Sequence, residues 1–332
     1  MKANGHAEEP PLIAVVGPTA SGKTAVAVAL SERLNGEIVS ADAVAVYKYL
    51  NIGAAKPDES EKARAIFHLV DVADPADDFT LSDFEALASA AISDIRSRGK
   101  TPILAGGTGL YVRSVTATLS VPSVAPQEAI RERLWAEVTE SGAERLHARL
   151  QMVDPASAKK ILPGDAKRMI RALEVYEVTG QPMSSFHTPE GIRGVPKPNT
   201  FLFGLERERA GLYHRIEART HAMMEAGFLS EVEKLLARGY DANLKSMGSL
   251  GYRHLVRHLT QEQPLLEALE DLIRDTRRFA KRQISWFRAD SEVLWIPVGE
   301  KSSAEAVADA MVEECKKRIA GAKTEHRPLP NS

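Results

Sequence analysis

Gly17-Pro18-Thr19-Ala20-Ser21-Gly22-Lys23-Thr24 is the stretch that decides the fold. It satisfies G-x-x-x-x-G-K-[ST] at every fixed position. The apolar run Leu12–Val16 precedes it and reads as a buried strand. A helix is expected to follow over residues 22–34. A strand before and a helix after are the setting in which this motif is a phosphate-binding loop. Gly17 and Gly22 let the backbone curl so that N–H groups converge, and the helix N-terminus adds positive potential. Lys23 contributes a point charge. The Thr24 hydroxyl suits Mg2+, which takes few protein ligands and keeps several waters. Gly17 to Thr24 are therefore the expected diphosphate-binding residues, with Thr24 at the metal. A chance glycine-rich turn is the competing reading, and the flanking strand and helix disfavour it.

The alternation continues outward. Short apolar runs at 37–40, 67–70, 102–105, 200–205 and 293–297 read as strands, and 81–98 reads as an amphipathic helix. Strands alternating with helices imply a parallel sheet with helices on both faces. Residues 126–183 break this rhythm and read as helical throughout, interrupted near Gly142, Pro155, Pro163 and Gly180. The Gly/Pro-rich stretch 188–198 reads as a linker, and 209–290 as a second long helical region. The expected architecture is α/β: a P-loop parallel-sheet core with an inserted helical domain. Residues 1–121 would form the first part of the core, 122–198 the insertion, 199–320 the second part, and 321–332 a disordered tail.

Bulk composition narrows the class. At 44% hydrophobic and 27% charged, the 332 residues suit a globular chain with a sizeable core. A net charge of −2 means that any nucleic-acid surface must come from local clustering. Cys315 is the only cysteine, which excludes an internal disulfide or a cysteine metal cluster and suits a reducing compartment. Residues 1–10 are short and polar, so no signal peptide is expected, and no membrane-length apolar run occurs. A cytoplasmic location and a monomeric state are expected.

A P-loop fixes diphosphate binding, not the reaction. A GTPase would need N-K-x-D, which is absent. A hydrolytic ATPase would show an apolar run ending in Asp. Leu69-Val70-Asp71 comes closest, but His68 interrupts it. Asp42 is then the carboxylate expected nearest the phosphates. Ligands in open α/β sheets sit beyond the carboxyl ends of strands, so Asp42 and Thr108 should share the P-loop's rim. Asp42 could bind Mg2+, accept a proton, or cap a helix. Thr108 is the weaker signal, because a Gly-Gly-Thr turn is common loop chemistry.

Basic residues supply a second theme. Arg274, Arg277, Arg278, Lys281, Arg282 and Arg288 crowd one expected helix. They could contact nucleic-acid phosphates, or they could be a surface face paired with acids elsewhere. Lys167, Arg168 and Arg171 form a smaller cluster. Arg215 and Arg219 are one helical turn apart and could reach an anion together.

Many motifs in one order resemble the tRNA dimethylallyltransferase (tRNA isopentenyltransferase) family. They are the P-loop, Ser40-Ala41-Asp42 with Val46-Tyr47, Ile52-Gly53, Ala55-Lys56-Pro57, and Gly106-Gly107-Thr108-Gly109-Leu110-Tyr111. Val153-Asp154-Pro155, Arg168 with Arg171-Ala172-Leu173-Glu174, and Leu250-Gly251-Tyr252-Arg253 follow. Thr276-Arg277-Arg278, Ala280-Lys281-Arg282-Gln283 and Trp286-Phe287-Arg288 complete the series, which covers nearly the whole chain.

The resemblance implies transfer of the dimethylallyl group of dimethylallyl diphosphate to the exocyclic amine of the adenosine 3′ of the tRNA anticodon. Diphosphate would be the leaving group. Asp42 would take the amine proton. Lys23, Arg219 and Mg2+ would stabilise the departing diphosphate. Thr108 would lie beside the reacting adenosine, which must leave its stack. The anticodon stem-loop would be held by Asp42, Ala43, Val44 and Ala45 with Thr108, and by Arg131. Lys167, Arg168, Met169, Ile170 and Arg171 would add to this surface. So would Gly248, Ser249, Leu250, Gly251, Tyr252 and Arg253, together with Arg278 and Lys281.

The chain departs from the family's usual residues at Ala43, Ala45, Ala54, Phe67 and Gly164, which leaves the preferred anticodon open. Competing readings are an isopentenyltransferase acting on free adenine nucleotides, a P-loop kinase for a small metabolite, and a non-catalytic RNA-binding protein.

Overall fold

The run Leu12–Val16 forms β1, buried along its whole length. The computed structural model describes residues 9–119, 122, 124–186, 194–261 and 263–325. The remaining strands are β2 (Gly36–Ala41), β3 (Phe67–His68), β4 (Thr101–Gly106), β5 (Ala117–Thr118), β6 (Val195–Pro196), β7 (Thr200–Glu206) and β8 (Val293–Pro297). Six of them make one sheet in the order β3-β2-β4-β1-β7-β8, with every pairing parallel. β5 and β6 form a separate ribbon. Val16 is level with Gly106 of β4 on one side and Gly204 of β7 on the other. The chain leaving β1 therefore emerges mid-sheet at the carboxyl edge, where α/β proteins bind ligands.

β1 has no apolar–polar alternation because both its faces are covered. Leu12, Ala14 and Val16 pack into one core with Phe84, Leu104, Val112 and Phe228. Ile13 and Val15 pack into the other with Val26, Leu30, Phe203 and Met311. The first helices are α1 (Lys23–Leu34), α2 (Glu59–Arg64), α3 (Leu81–Ser97) and α4 (Gly109–Thr116). α3 starts where Thr80 and Asp83 form a capping box, each side chain taking the other's backbone N–H. β3 is shorter than the 67–70 read from sequence. Leu69 (φ 62°) and Asp71 (φ 60°) turn into left-handed backbone and end it.

The chain divides into two compact units. One is Ala117–Val195, and the other is formed by the segments on either side of it. The first contains α5 (Glu128–Ser141), α6 (Ala143–Val153), α7 (Pro155–Ala158) and α8 (Ala166–Thr179). Gly142 (φ 83°) separates α5 from α6, Asp154 caps α7, and Gly180 (φ 71°) ends α8. Leu134, Leu146, Leu150, Met169, Ile170 and Leu173 form this unit's own core. Met169 and Ile170, expected among the tRNA contacts, are interior residues whose side chains cannot reach RNA.

In the larger unit the 209–290 region resolves into α9 (Arg209–Glu225), α10 (Phe228–Ala237), α11 (Tyr252–Thr260) and α12 (Leu265–Arg288). A last helix, α13 (Ala304–Glu325), was not anticipated. Its Val307, Ala308, Met311 and Cys315 join the core that holds α1. The disordered tail expected from residue 321 is corrected over 321–325, which continue this helix. Residues 326–332 lie outside the described residues, as do 188–193 of the expected linker. Val195–Pro196 of that linker is β6. Among the described residues no helix is long and apolar enough to cross a membrane.

Candidate active site

The chain turns out of β1 at Gly17, whose φ of 144° suits glycine. A Cβ there would also stand 3.3 Å from the Leu205 carbonyl oxygen. Gly22 (φ 97°) hands the loop to α1. Lys23 Nζ donates to Pro18 O at 2.7 Å. Thr19 N–H is taken by Gln283 Oε1 at 2.8 Å. Pro18 has no N–H, so the donors the loop could offer an anion are mainly the first-turn amides of α1, which helix geometry leaves unpaired.

The loop floors a cavity of about 390 Å³. Lys23, Thr24, Asp42, Glu61, Arg215 and Arg219 give it a charged, polar lining. Ile38, Ala54, Ala55, Pro57, Phe67 and Phe279 give it an apolar one. Burial lowers the Lys23 pKa to about 8, with Arg219 adding to the shift and Asp42 opposing it. Burial likewise lowers Arg219, with Asp42 opposing and Arg215 adding. Two crowded, desolvated cations lack enough negative charge, and a diphosphate would supply it.

Asp42 follows β2. Its Oδ1 accepts N–H bonds from Val44 (2.8 Å) and Ala45 (3.2 Å). It therefore caps a turn and not a helix, and among the described residues Oδ2 has no hydrogen-bond partner. Thr108 Oγ1 accepts the Ala43 N–H at 3.1 Å, and Thr108 N–H donates to Ala41 O. Thr108 thus fixes the turn that carries Asp42, and it is not among the residues lining the cavity. For Mg2+ the donors fit: the Thr24 hydroxyl and the Asp42 and Glu61 carboxylates line one cavity. Among the described residues no cluster of three or more His, Cys, Asp or Glu forms a cage.

A model of the IPP transferase family matches residues 45–290, and one of isopentenyl transferase matches residues 10–69. The tRNA dimethylallyltransferase of Acetivibrio thermocellus is 44% identical over 296 residues, spanning 89% of this chain and 94% of that protein. That of Geobacter metallireducens is 47% identical over 290 residues, spanning 87% and 93%. The chain belongs to the tRNA dimethylallyltransferase family. It shares the P-loop α/β fold and the prenyl-transferase class of that family. A crystal structure of the full-length tRNA isopentenylpyrophosphate transferase from Bacillus halodurans superposes with a TM-score of 0.69 at 35% identity. It covers 96% of this chain and 100% of that one.

In this member of the family the expected RNA-facing residues fare unevenly. Lys167 and Arg168 are exposed, Arg168 lying 3.4 Å from Asp165. Arg131 and Arg171 both bind the buried Glu174 carboxylate, at 2.8 and 2.7 Å, so neither stands free. Gly248 is exposed and Ser249 and Leu250 are half-buried, but Gly251 and Tyr252 are buried and cannot contact RNA through side chains. Arg253 is held by Asp275 at 2.7 Å. Ala43 and Val44 are half-buried and Ala45 is buried.

On α12, Arg274 pairs with Asp271, Arg277 with Glu217, Arg278 with Asp275 and Arg288 with Glu206. Among the described residues Lys281 and Arg282 have no carboxylate partner. Sequence reasoning missed Gln283. Its Nε2 donates to Gly107 O at 2.9 Å while its Oε1 accepts from Thr19, so one amide bridges the P-loop and the turn after β4.

Proposed function

We propose that the protein transfers the dimethylallyl group of dimethylallyl diphosphate to the exocyclic amine of the adenosine 3′ of the tRNA anticodon. The observation that carries this reading is a P-loop cavity holding Lys23, Arg219 and a carboxylate with one uncommitted oxygen. The adenine amine attacks the allylic carbon as the bond from that carbon to the diphosphate oxygen breaks. Asp42 accepts the amine proton. Lys23 and Arg219 face the negative charge that grows on the leaving diphosphate. Thr24 would hold Mg2+ together with diphosphate oxygens, the ion adding neutralising charge there. Thr108 holds the Asp42 turn in place. Lys167, Arg168, Arg278 and Lys281 are exposed cations that would meet the anticodon stem-loop, Arg168 and Arg278 each lying beside a carboxylate. A monomeric, cytoplasmic enzyme belongs to the same reading; a chain with one cysteine has no internal disulfide to maintain, which suits a reducing compartment.

Labelled dimethylallyl diphosphate offered with tRNA or with AMP tests the acceptor. Label is expected in tRNA alone, and label in AMP alone would refute it. In the same assay Asp42→Asn should bind both substrates normally while its chemical step falls about 10²–10⁴-fold. Full recovery at high Mg2+ would assign Asp42 to the metal instead.

A further inference from the structure

A carboxylate that is not among the residues lining the cavity holds part of the cavity wall. Glu231 of α10 accepts N–H bonds from Asn51 (3.0 Å), Ile52 (2.8 Å) and Gly53 (3.3 Å), and an O–H bond from Tyr252 (2.6 Å). Two stretches of chain meet on this one side chain. The first runs on directly into Ala54, Ala55, Lys56 and Pro57, which line the cavity. The second is the start of α11, next to the exposed Gly248 and the Asp275-bound Arg253.

The loop has no slack. A Cβ on Gly53 would stand 2.2 Å from the Phe228 ring and 2.6 Å from Tyr252. Those two rings meet edge to face with centroids 5.0 Å apart. Ala55 takes a left-handed φ of 47°, a conformation that costs a non-glycine residue free energy and must be held by its surroundings. Lys56 anchors the far end, its Nζ donating to Tyr47 O (2.6 Å), Asn51 Oδ1 (3.0 Å) and Asp71 Oδ1 (2.6 Å).

The chemistry at the hub requires an acceptor without hydrogens. Four donors converge, and a carboxylate only accepts, whereas a glutamine amide would turn its NH2 toward N–H groups. Burial, and then the Glu231 charge, hold the Tyr252 phenol well above its ordinary pKa, so it remains a donor.

We propose that Glu231 is a positioning residue for prenyl transfer, setting the Ala54–Ala55–Pro57 wall against which the allylic hydrocarbon packs and tying it to the start of α11. The apolar wall residues suit a hydrocarbon chain, while Lys23, Arg215 and Arg219 supply the phosphate end. The inference rests on the transfer reading above.

Steady-state transfer to tRNA by Glu231→Gln and Tyr252→Phe tests it, with calorimetric binding of inorganic diphosphate as a control for the P-loop. Glu231→Gln should raise the KM for dimethylallyl diphosphate about tenfold, on the scale of lost and mismatched hydrogen bonds. Its Kd for inorganic diphosphate should stay at the wild-type value. Tyr252→Phe, which keeps the charge on the three amides, should leave that KM unchanged and raise the KM for tRNA by about threefold. Glu231→Asp, which restores a carboxylate, should recover part of the donor KM.

A Glu231→Gln enzyme that melts earlier but keeps both KM values would overturn the proposal. So would a rise in its diphosphate Kd parallel to the donor KM, because that reports a collapsed cavity. If Glu231→Gln does not fold, an unchanged tRNA KM in Tyr252→Phe refutes the tie. Wild-type enzyme that labels no tRNA refutes the transfer reading itself, and the proposal with it.

Discussion

Lys23 carries a charge that its surroundings oppose. Burial and Arg219 lower its pKa from 10.5 to about 8. Between about pH 8 and 10.5 the unfolded chain therefore binds a proton that the free enzyme does not. The ligand-free fold should gain stability as pH rises through that window. Diphosphate reverses the preference, because the anion favours the ammonium. Its affinity should weaken as pH rises past about 8 in the wild type. It should not do so in Lys23→Arg, whose guanidinium stays charged. Calorimetric titrations of inorganic diphosphate at several pH values would check this. Parallel curves for the two proteins would show that Lys23 does not meet the phosphate. Lys23 was legible because its motif fixes its place. Asp42 was legible as a carboxylate on the right rim, but not the division of its oxygens between a turn and the cavity. Gln283 stood in the sequence only as part of a family motif, and its role had no signal until the helix lay over the P-loop.

At the scale of the element, α12 shows what periodicity can and cannot give. The basic face was readable from spacing alone. Its neutralisation was readable only in part: Asp271 and Asp275 lie one turn away on α12 itself, but Glu217 sits on α9 and Glu206 ends β7. Exposed pairs of this kind contribute little to stability, but they do reduce the charge open to RNA. Lys281, exposed and without a carboxylate partner among the described residues, should therefore contact phosphate more fully than Arg278. Lys281→Ala should flatten the dependence of log K on log salt for tRNA by about one unit, and Arg278→Ala by less. Equal slopes for wild type and Lys281→Ala would remove this residue from the interface. The same limit applies to Arg131 and Arg171. The family resemblance implied both as RNA contacts, and both turn out to be shared by one buried carboxylate, Glu174.

For the whole molecule, the two units carry separate cores, so their failures should separate too. Leu150 is fully buried within the helical unit. Leu150→Ala should destabilise that unit by about 2–5 kcal/mol. tRNA binding should then weaken, while inorganic diphosphate binding to the P-loop unit stays intact. Loss of both activities together would show that the cores unfold as one. Met169 and Ile170 belong to the same argument. Their neighbours Lys167 and Arg168 are exposed, so a single turn of α8 gives two residues to solvent and the next two to the core.

Sequence alone determined the parallel α/β class, the positions of the six main strands, the P-loop and its lysine, and the carboxylate beyond β2. These follow from local chemistry: apolar runs bounded by glycines, and a motif whose function lies in its own backbone. The tertiary structure decided the strand order and the packing of α13 on α1. It also decided the pairing of Arg277 with Glu217 and of Arg288 with Glu206, and how Glu231 and Gln283 bridge distant loops. Each of these joins residues far apart in the chain, and the free energy of such a contact exists only once the chain has folded to bring both partners together.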